Sequence, residues 1–160
     1  VGEHLPASAA ETLVDSLVAA SDRVLFSAAA VGQGGEHHVN ERPLAYWQAL
    51  FRARGYRAYD CVRPALAGDR DVLPWYRYNT VLYANAEGAR SLPAPILARA
   101  LGAAETLRDG GDPLWRMRRL AVGCLPRPAI TGIARAHAAF RAGGRAKSGS
   151  AVLGQGAHRS

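Results

Sequence analysis

One strand–helix–strand unit near the middle of the chain constrains the fold more than any other feature. The run RVLFSAAAV at 23–31 is almost continuously apolar, which is typical of a strand buried in a parallel sheet. The segment PLAYWQALFRARGY predicts an amphipathic helix that begins at Pro43 and ends at Gly55. The next segment, YRAYDCVRP, predicts a second strand that Pro64 ends. Two strands joined by a helix indicate an α/β fold.

Shorter patterns extend this unit on both sides. Residues 7–20 have apolar side chains at helical spacing, and Ser8 with Glu11 predicts a capping box at the start of that helix. TVLYAN at 80–85 predicts a last short strand, at an antiparallel edge because no long helix precedes it. Two further helices are expected at 96–107 and 112–125. The sheet is therefore expected to have about three strands with flanking helices.

Composition places the chain among ordinary globular proteins, with 49% apolar and 21% charged residues. No apolar stretch is long enough for a transmembrane segment, and the first residues lack the pattern of a signal peptide. Cys61 and Cys124 have neither metal-type nor disulfide-framework spacing, so we expect a cytoplasmic location. All thirteen acidic residues precede 113, and residues 113–160 carry nine basic ones. This basic tail leaves binding to RNA or an anionic membrane open, although a solvated tail is the simpler interpretation.

The loop VGQGGEHHVN raises two chemical alternatives. A dinucleotide loop needs a third glycine where this chain has His37, and a helix that starts at the glycines rather than at Pro43. Asp60 on the next strand is a loose match to a ribose-binding acid. A metal site could use Glu36, His37 and His38, but adjacent side chains point in different directions and the spacing is unlike that of known sites. Both alternatives are disfavoured.

A second cluster, LPWYRYN at 73–79, is rich in aromatic side chains. Trp75 and Tyr76 could line a binding pocket, because aromatic rings with polar tips are typical of pocket walls. Ordinary packing beneath a loop accounts for them equally well.

Three segments, taken in order, resemble a known family. They are VGEHLP at the start, RVLFSAAAVGQGGEHHVNERPLAYWQALFRARGY in the middle, and PWYRYNTVLYAN before 86. Together they resemble the C-terminal half of a class I S-adenosylmethionine-dependent methyltransferase. The closest subgroup is the small bacterial methyltransferase-domain proteins found among sugar, lipid and natural-product tailoring enzymes. The resemblance covers about residues 1–85.

The resemblance implies a Rossmann-like sheet of seven strands whose last strand is antiparallel to the rest, of which this chain would form an incomplete part. Residues 1–86 would be the C-terminal part of the methyltransferase domain, 87–122 a helical extension, and 123–160 a basic, low-complexity and partly disordered tail. The family's Gly-rich cofactor loop and its ribose-binding acid are not in this sequence. The chain would therefore be a fragment or one half of a split enzyme, inactive alone, with the N-terminal half as a separate partner chain.

The activity implied is methyl transfer from S-adenosylmethionine to a small-molecule acceptor such as a sugar or natural product. The glycine loop would then face the acceptor, where His38, or His37 beside it, would orient or deprotonate it. Glu3 and His4 would contact the cofactor. Gly34, Gly35, Asn40, Trp75 and Tyr76 would form the acceptor pocket, and no metal is expected. The alternatives are a non-catalytic binding module and an adaptor that works through the tail.

Overall fold

The structure, a computed structural model, describes residues 1–126, 128–133 and 135–136. In the described part of the chain, two short 3₁₀ turns, Gly2–His4 and Ala7–Ala9, come before the named helices and strands. In chain order these are α1 (Ala10–Ala20), β1 (Arg23–Phe26), α2 (Leu44–Ala53), β2 (Arg57–Tyr59), α3 (Val62–Leu66), α4 (Pro74–Asn79), β3 (Val81–Ala84), α5 (Ala86–Ala89), α6 (Ala94–Leu97) and α7 (Pro113–Gly123).

The three strands form one sheet in the order β1-β3-β2. Strand β3 is antiparallel to both neighbours, and Tyr83 lies opposite Val24 on one side and Ala58 on the other. Strands β1 and β2 therefore run in the same direction, as the helix between them predicts. The prediction that the last strand is antiparallel is confirmed, but its placement at an edge is wrong. The α2 crossover leaves the width of one strand between β1 and β2, and β3 fills it.

The main core lies between one face of the sheet and helices α1 and α2. Trp47 and Phe51 of α2 are fully buried, and Phe51 stacks on Tyr83 of β3 with ring centroids 4.0 Å apart. Phe26 of β1 packs against both α2 rings. On the opposite face, a smaller cluster of Tyr59, Ala84 and Leu92 connects the sheet to the segment around α5 and α6. The chain thus has a mixed helix and sheet fold with a helix-covered central strand.

Both predicted strand ends are wrong, for separate reasons. The first strand stops at Phe26 because its partner, Val81, is the first residue of β3. Residues 28–30 stay buried but leave the sheet. The second strand stops at Tyr59, and Pro64 lies inside α3. A proline is tolerated there because the first turn of a helix does not need its N–H groups for internal hydrogen bonds.

Helix 7–20 is confirmed, but its first turn is 3₁₀ and no side chain caps α1, so the predicted capping box does not form. The predicted helix at 96–107 is wrong beyond Leu97. The Gln48 side chain binds the carbonyl of Glu105 and the N–H of Leu107, which holds that segment extended along α2. The predicted helix at 112–125 is confirmed as α7.

The C-terminal end was predicted to be disordered from residue 123. Residues 128–133 are helical, whereas 127, 134 and 137–160 lie outside the described residues. Within the described part of the chain, no helix has both the length and the apolar character that crossing a bilayer requires.

Replacing Phe51 with alanine is expected to lower the free energy of unfolding by about 3–5 kcal/mol, because it leaves a cavity where the ring stacks on Tyr83. Urea unfolding followed by circular dichroism measures the loss. Leu114→Ala is the control, since Leu114 is 76% exposed on α7. Equal losses in the two variants would contradict this core.

Candidate functional site

The loop between β1 and α2 closes around one carboxylate. The Glu41 carboxylate accepts hydrogen bonds from the backbone N–H groups of Gly32, at 2.9 Å, and Gly34, at 2.7 Å. Gly34 has a φ of +72°, in the left-handed region that favours glycine. The glycines of this loop therefore serve to turn the backbone so that its N–H groups face Glu41.

His38 is held in the same arrangement. Its Nδ1 donates to Glu41 Oε1 at 2.8 Å, because a carboxylate only accepts, and its side chain is 12% exposed. The ring packs so closely on Gly35 that a Cβ at that position would overlap it. The neutral ring then carries its lone pair on Nε2, which is the nitrogen left for chemistry.

The ionisation of Glu41 follows from these contacts. Burial alone would raise the pKa of this carboxyl, but the hydrogen bonds from His38, Gly34 and Gly32 outweigh burial and hold the pKa below its ordinary value. Glu41 is therefore a carboxylate at neutral pH, and it fixes both the orientation and the tautomer of His38.

The first residues of the chain dock onto this loop. The backbone N–H groups of Val39 and Asn40 donate to the Glu3 carbonyl at 2.8 and 3.0 Å. His4 Nδ1 donates to the His37 carbonyl at 3.3 Å. As a result the His4 and His38 rings meet edge to face, with centroids 4.9 Å apart. Two segments far apart in the sequence therefore form one cluster.

The other predicted acceptor and cofactor residues have different surroundings. His37 has a side chain that is 70% exposed, and its Nε2 lies 3.4 Å from Glu36 Oε1, away from the cluster. Asn40 is buried, and its amide binds the Gly2 carbonyl and the Arg42 guanidinium, so its polar atoms hold the loop together. The Glu3 side chain is 14% exposed and accepts from the Val1 amino group at 2.9 Å.

A cavity of about 420 Å³ opens beside the cluster. Gly34, Gly35 and His38 form part of its wall. This volume falls in the range of small-molecule sites. Trp75 and Tyr76 lie in the first turn of α4 and are not among the residues that line it. The loop residues predicted for the acceptor pocket are thus together, and the two aromatic residues are apart from them.

Helix α7 makes a contribution to this site that the sequence pattern does not predict. Arg119 donates twice to the Val31 carbonyl and pairs with Asp109 at 2.7 Å, and Arg118 donates to the Gln33 carbonyl. These arginines belong to the basic stretch considered for RNA or membrane binding, yet they hold the glycine loop. Glu41 was also missed as a positioning residue, and its place three residues after His38 was the available signal.

The disfavoured dinucleotide interpretation gains nothing from Asp60. Its carboxylate is held by the Arg63 guanidinium through contacts of 2.8 and 2.6 Å.

Comparison of the chain with models of protein families, with curated proteins and with solved structures found no match.

Replacing Glu41 with glutamine should lower the free energy of unfolding by about 1–3 kcal/mol near pH 7, because three donors lose their charged acceptor. The lowered pKa makes the carboxylate fully stabilising above the ordinary value of 4.5, and this contribution is lost as the pH falls through the folded value. The two proteins should therefore converge in acid. Urea midpoints across pH measure this.

The matched control for that prediction is Glu87→Gln, because the Glu87 side chain is 60% exposed and pairs with Arg90 on the surface. An effect of Glu41→Gln no larger than that of the control would contradict the central role of Glu41.

Proposed function

We propose that this chain forms the acceptor side of a class I S-adenosylmethionine-dependent methyltransferase domain. It would act in the cytoplasm on a small hydroxyl-bearing molecule of the sugar or natural-product type. One observation carries the proposal: VGEHLP and the glycine loop of the middle segment, both parts of the resemblance, meet at His4 and His38 beside a cavity of small-molecule size. If the likeness of these short segments to the family were a coincidence, there would be no reason for the two segments to lie side by side in the fold.

The sheet adds support. The resemblance implies a last strand antiparallel to the others, and β3 has that direction between β1 and β2. The loop with the glycines leaves the sheet at the end of β1, and the chain then crosses over through α2. An open α/β sheet binds its ligands at such strand ends, so the position of the loop agrees with a role in binding the acceptor.

S-Adenosylmethionine, when bound, supplies an electrophilic methyl group. The residues of this chain would position the acceptor and manage its proton. His38 Nε2 carries the free lone pair, so it could take the proton of an acceptor hydroxyl as the methyl group passes from the sulfonium sulfur, which would leave as a neutral thioether, to that oxygen. Glu41, hydrogen-bonded to Nδ1, stabilises the imidazolium that results. Gly35, which has no side chain, leaves room for the His38 ring itself, and Gly34 and Gly35 both line the cavity in which the acceptor would lie.

The chain fits only part of a cofactor site. Glu3 and His4 lie next to His38 and could contact the methionine end. The strand, Gly-rich loop and helix that hold the rest of the cofactor in the family have no counterpart in the sequence. We therefore propose that another segment or chain supplies that half, and that these 160 residues alone do not catalyse the reaction.

In the assembled enzyme, His38→Ala is expected to lower kcat by about 10²–10⁴, the usual contribution of a general base. His37→Asn is the matched control, since it changes the exposed neighbouring ring and asparagine tolerates the left-handed backbone at this position. Transfer of labelled methyl groups to a panel of sugar and natural-product hydroxyl acceptors measures turnover. Unchanged turnover in His38→Ala would contradict the assigned role.

Titration calorimetry of the 160-residue chain with S-adenosylmethionine is expected to show no micromolar binding, because most of the cofactor contacts are missing. Adding a polypeptide with the Gly-rich strand–loop–helix, encoded upstream of Val1 or separately, should restore binding and methyl transfer. Micromolar binding by the chain alone would overturn the division into halves. Absence of transfer to every acceptor after reconstitution would overturn the proposed function.

A further inference from the structure

We propose that Glu3, His4 and His38 bind a divalent transition-metal ion, with Zn²⁺ as the best match. One potential ligand atom from each residue lies within 4.8 Å of the other two. The three side chains come from two segments that the loop hydrogen bonds bring together. Sequence spacing could not predict this set, because the side chains of the adjacent residues His37 and His38 lie apart in the structure. Only the His38 side chain belongs to the set.

The two rings are oriented as metal ligands are. His4 Nδ1 donates to the His37 carbonyl and His38 Nδ1 donates to the Glu41 carboxylate. Each ring therefore keeps its lone pair on Nε2. Metal-binding histidines characteristically donate their other ring N–H to a carbonyl or a carboxylate, which fixes the tautomer and increases the basicity of the ligating nitrogen.

Glu3 supplies the third ligand. Its Oε1 lies 3.9 Å from His4 Nε2. Two ligand atoms of one zinc ion are about 3.3 Å apart, given metal–ligand distances of about 2.1 Å. The His4 side chain is 48% exposed, so its ring has room to move toward the carboxylate when an ion binds. The backbone carbonyl of Glu3 is fixed by the loop, so the carboxylate has a defined anchor.

The donor set selects the kind of metal. Two imidazole nitrogens and one carboxylate oxygen are the protein ligands of many catalytic zinc sites, which keep a fourth position for water or substrate. Mg²⁺ and Ca²⁺ prefer oxygen ligands and fit two imidazoles poorly. The exposure of His4 leaves that further position open toward solvent.

Metal binding by these residues does not depend on methyl transfer. The role of the ion does rest on the proposed function: it would bind the acceptor hydroxyl and lower its pKa. His38 would then act as a metal ligand instead of a base, and the proton of the metal-bound acceptor hydroxyl would pass to solvent water. Metal dependence of the reaction would separate this role from that of His38 as a free base.

The direct test titrates Co²⁺ and Zn²⁺ into the 160-residue chain without a polyhistidine tag. Every sample carries the substitutions His137→Ala and His158→Ala. These two histidines lie outside the described residues, and removing them leaves His4, His37 and His38 as the histidines of the chain. Calorimetry is expected to give one ion per chain at micromolar affinity or better, and Co²⁺ should show the visible absorption of nitrogen and oxygen coordination. The proposal would be overturned if calorimetry showed no site that binds one ion per chain. It would also be overturned if the Co²⁺ absorption spectrum showed no imidazole nitrogen among the ligands.

Variants then assign the ligands. His4→Ala and His38→Ala should each weaken Zn²⁺ binding at least about tenfold, whereas His37→Asn should leave it unchanged. Circular dichroism checks that each variant folds. In the parent chain, broadening of the His4 and His38 imidazole NMR signals by Co²⁺ gives an assignment of the ligands that needs neither variant. Equal effects at all three histidines, or broadening elsewhere, would overturn the site. Zinc binding without methyl transfer by the reconstituted enzyme would refute the proposed function alone.

Discussion

The Glu41 carboxylate accepts hydrogen bonds from two backbone N–H groups of the glycine loop and from His38 Nδ1. Without this acceptor, both N–H groups and the imidazole would need new partners in a half-buried space, at a cost of the order of a hydrogen bond each. The loop shape, the orientation of His38 and the ring nitrogen that remains available therefore follow from one charge. Glu41 therefore acts on His38 as a positioning residue.

The loop is also held from its outer side and from the core. Arg119 of α7 binds the Val31 carbonyl, which places the C-terminal helix directly on the loop. The backbone of Gly2 packs on the buried Trp47 ring closely enough that a side chain there would collide with it. Because Glu3 and His4 follow Gly2, the main core fixes one half of the cluster. The site thus depends on packing in α2 as well as on loop chemistry.

The sequence pattern predicted α1, α2 and α7, because apolar spacing records which face of a helix is buried. The absence of a long connecting helix, together with the resemblance, predicted that the last strand is antiparallel. The sequence pattern did not predict that β3 lies in the centre, since strand order depends on the space left by the crossover. It extended the first strand to residue 31, because the buried residues 28–30 look like strand although no partner remains beyond Phe26. The resemblance identified the segments of His4 and His38, but their contact needed the docking of Glu3 on the loop.

The division between His37 and His38 shows why local sequence could not decide the chemistry. His37 has a φ of +59°, so the backbone turns between the two residues and their rings diverge. The His37 carbonyl is thereby directed to His4, while its own ring lies in solvent. The residue therefore contributes through its backbone. His4 takes the place beside His38 that adjacency in the sequence would have given to His37, and with Glu3 it completes the proposed set of metal ligands from two segments far apart in the sequence.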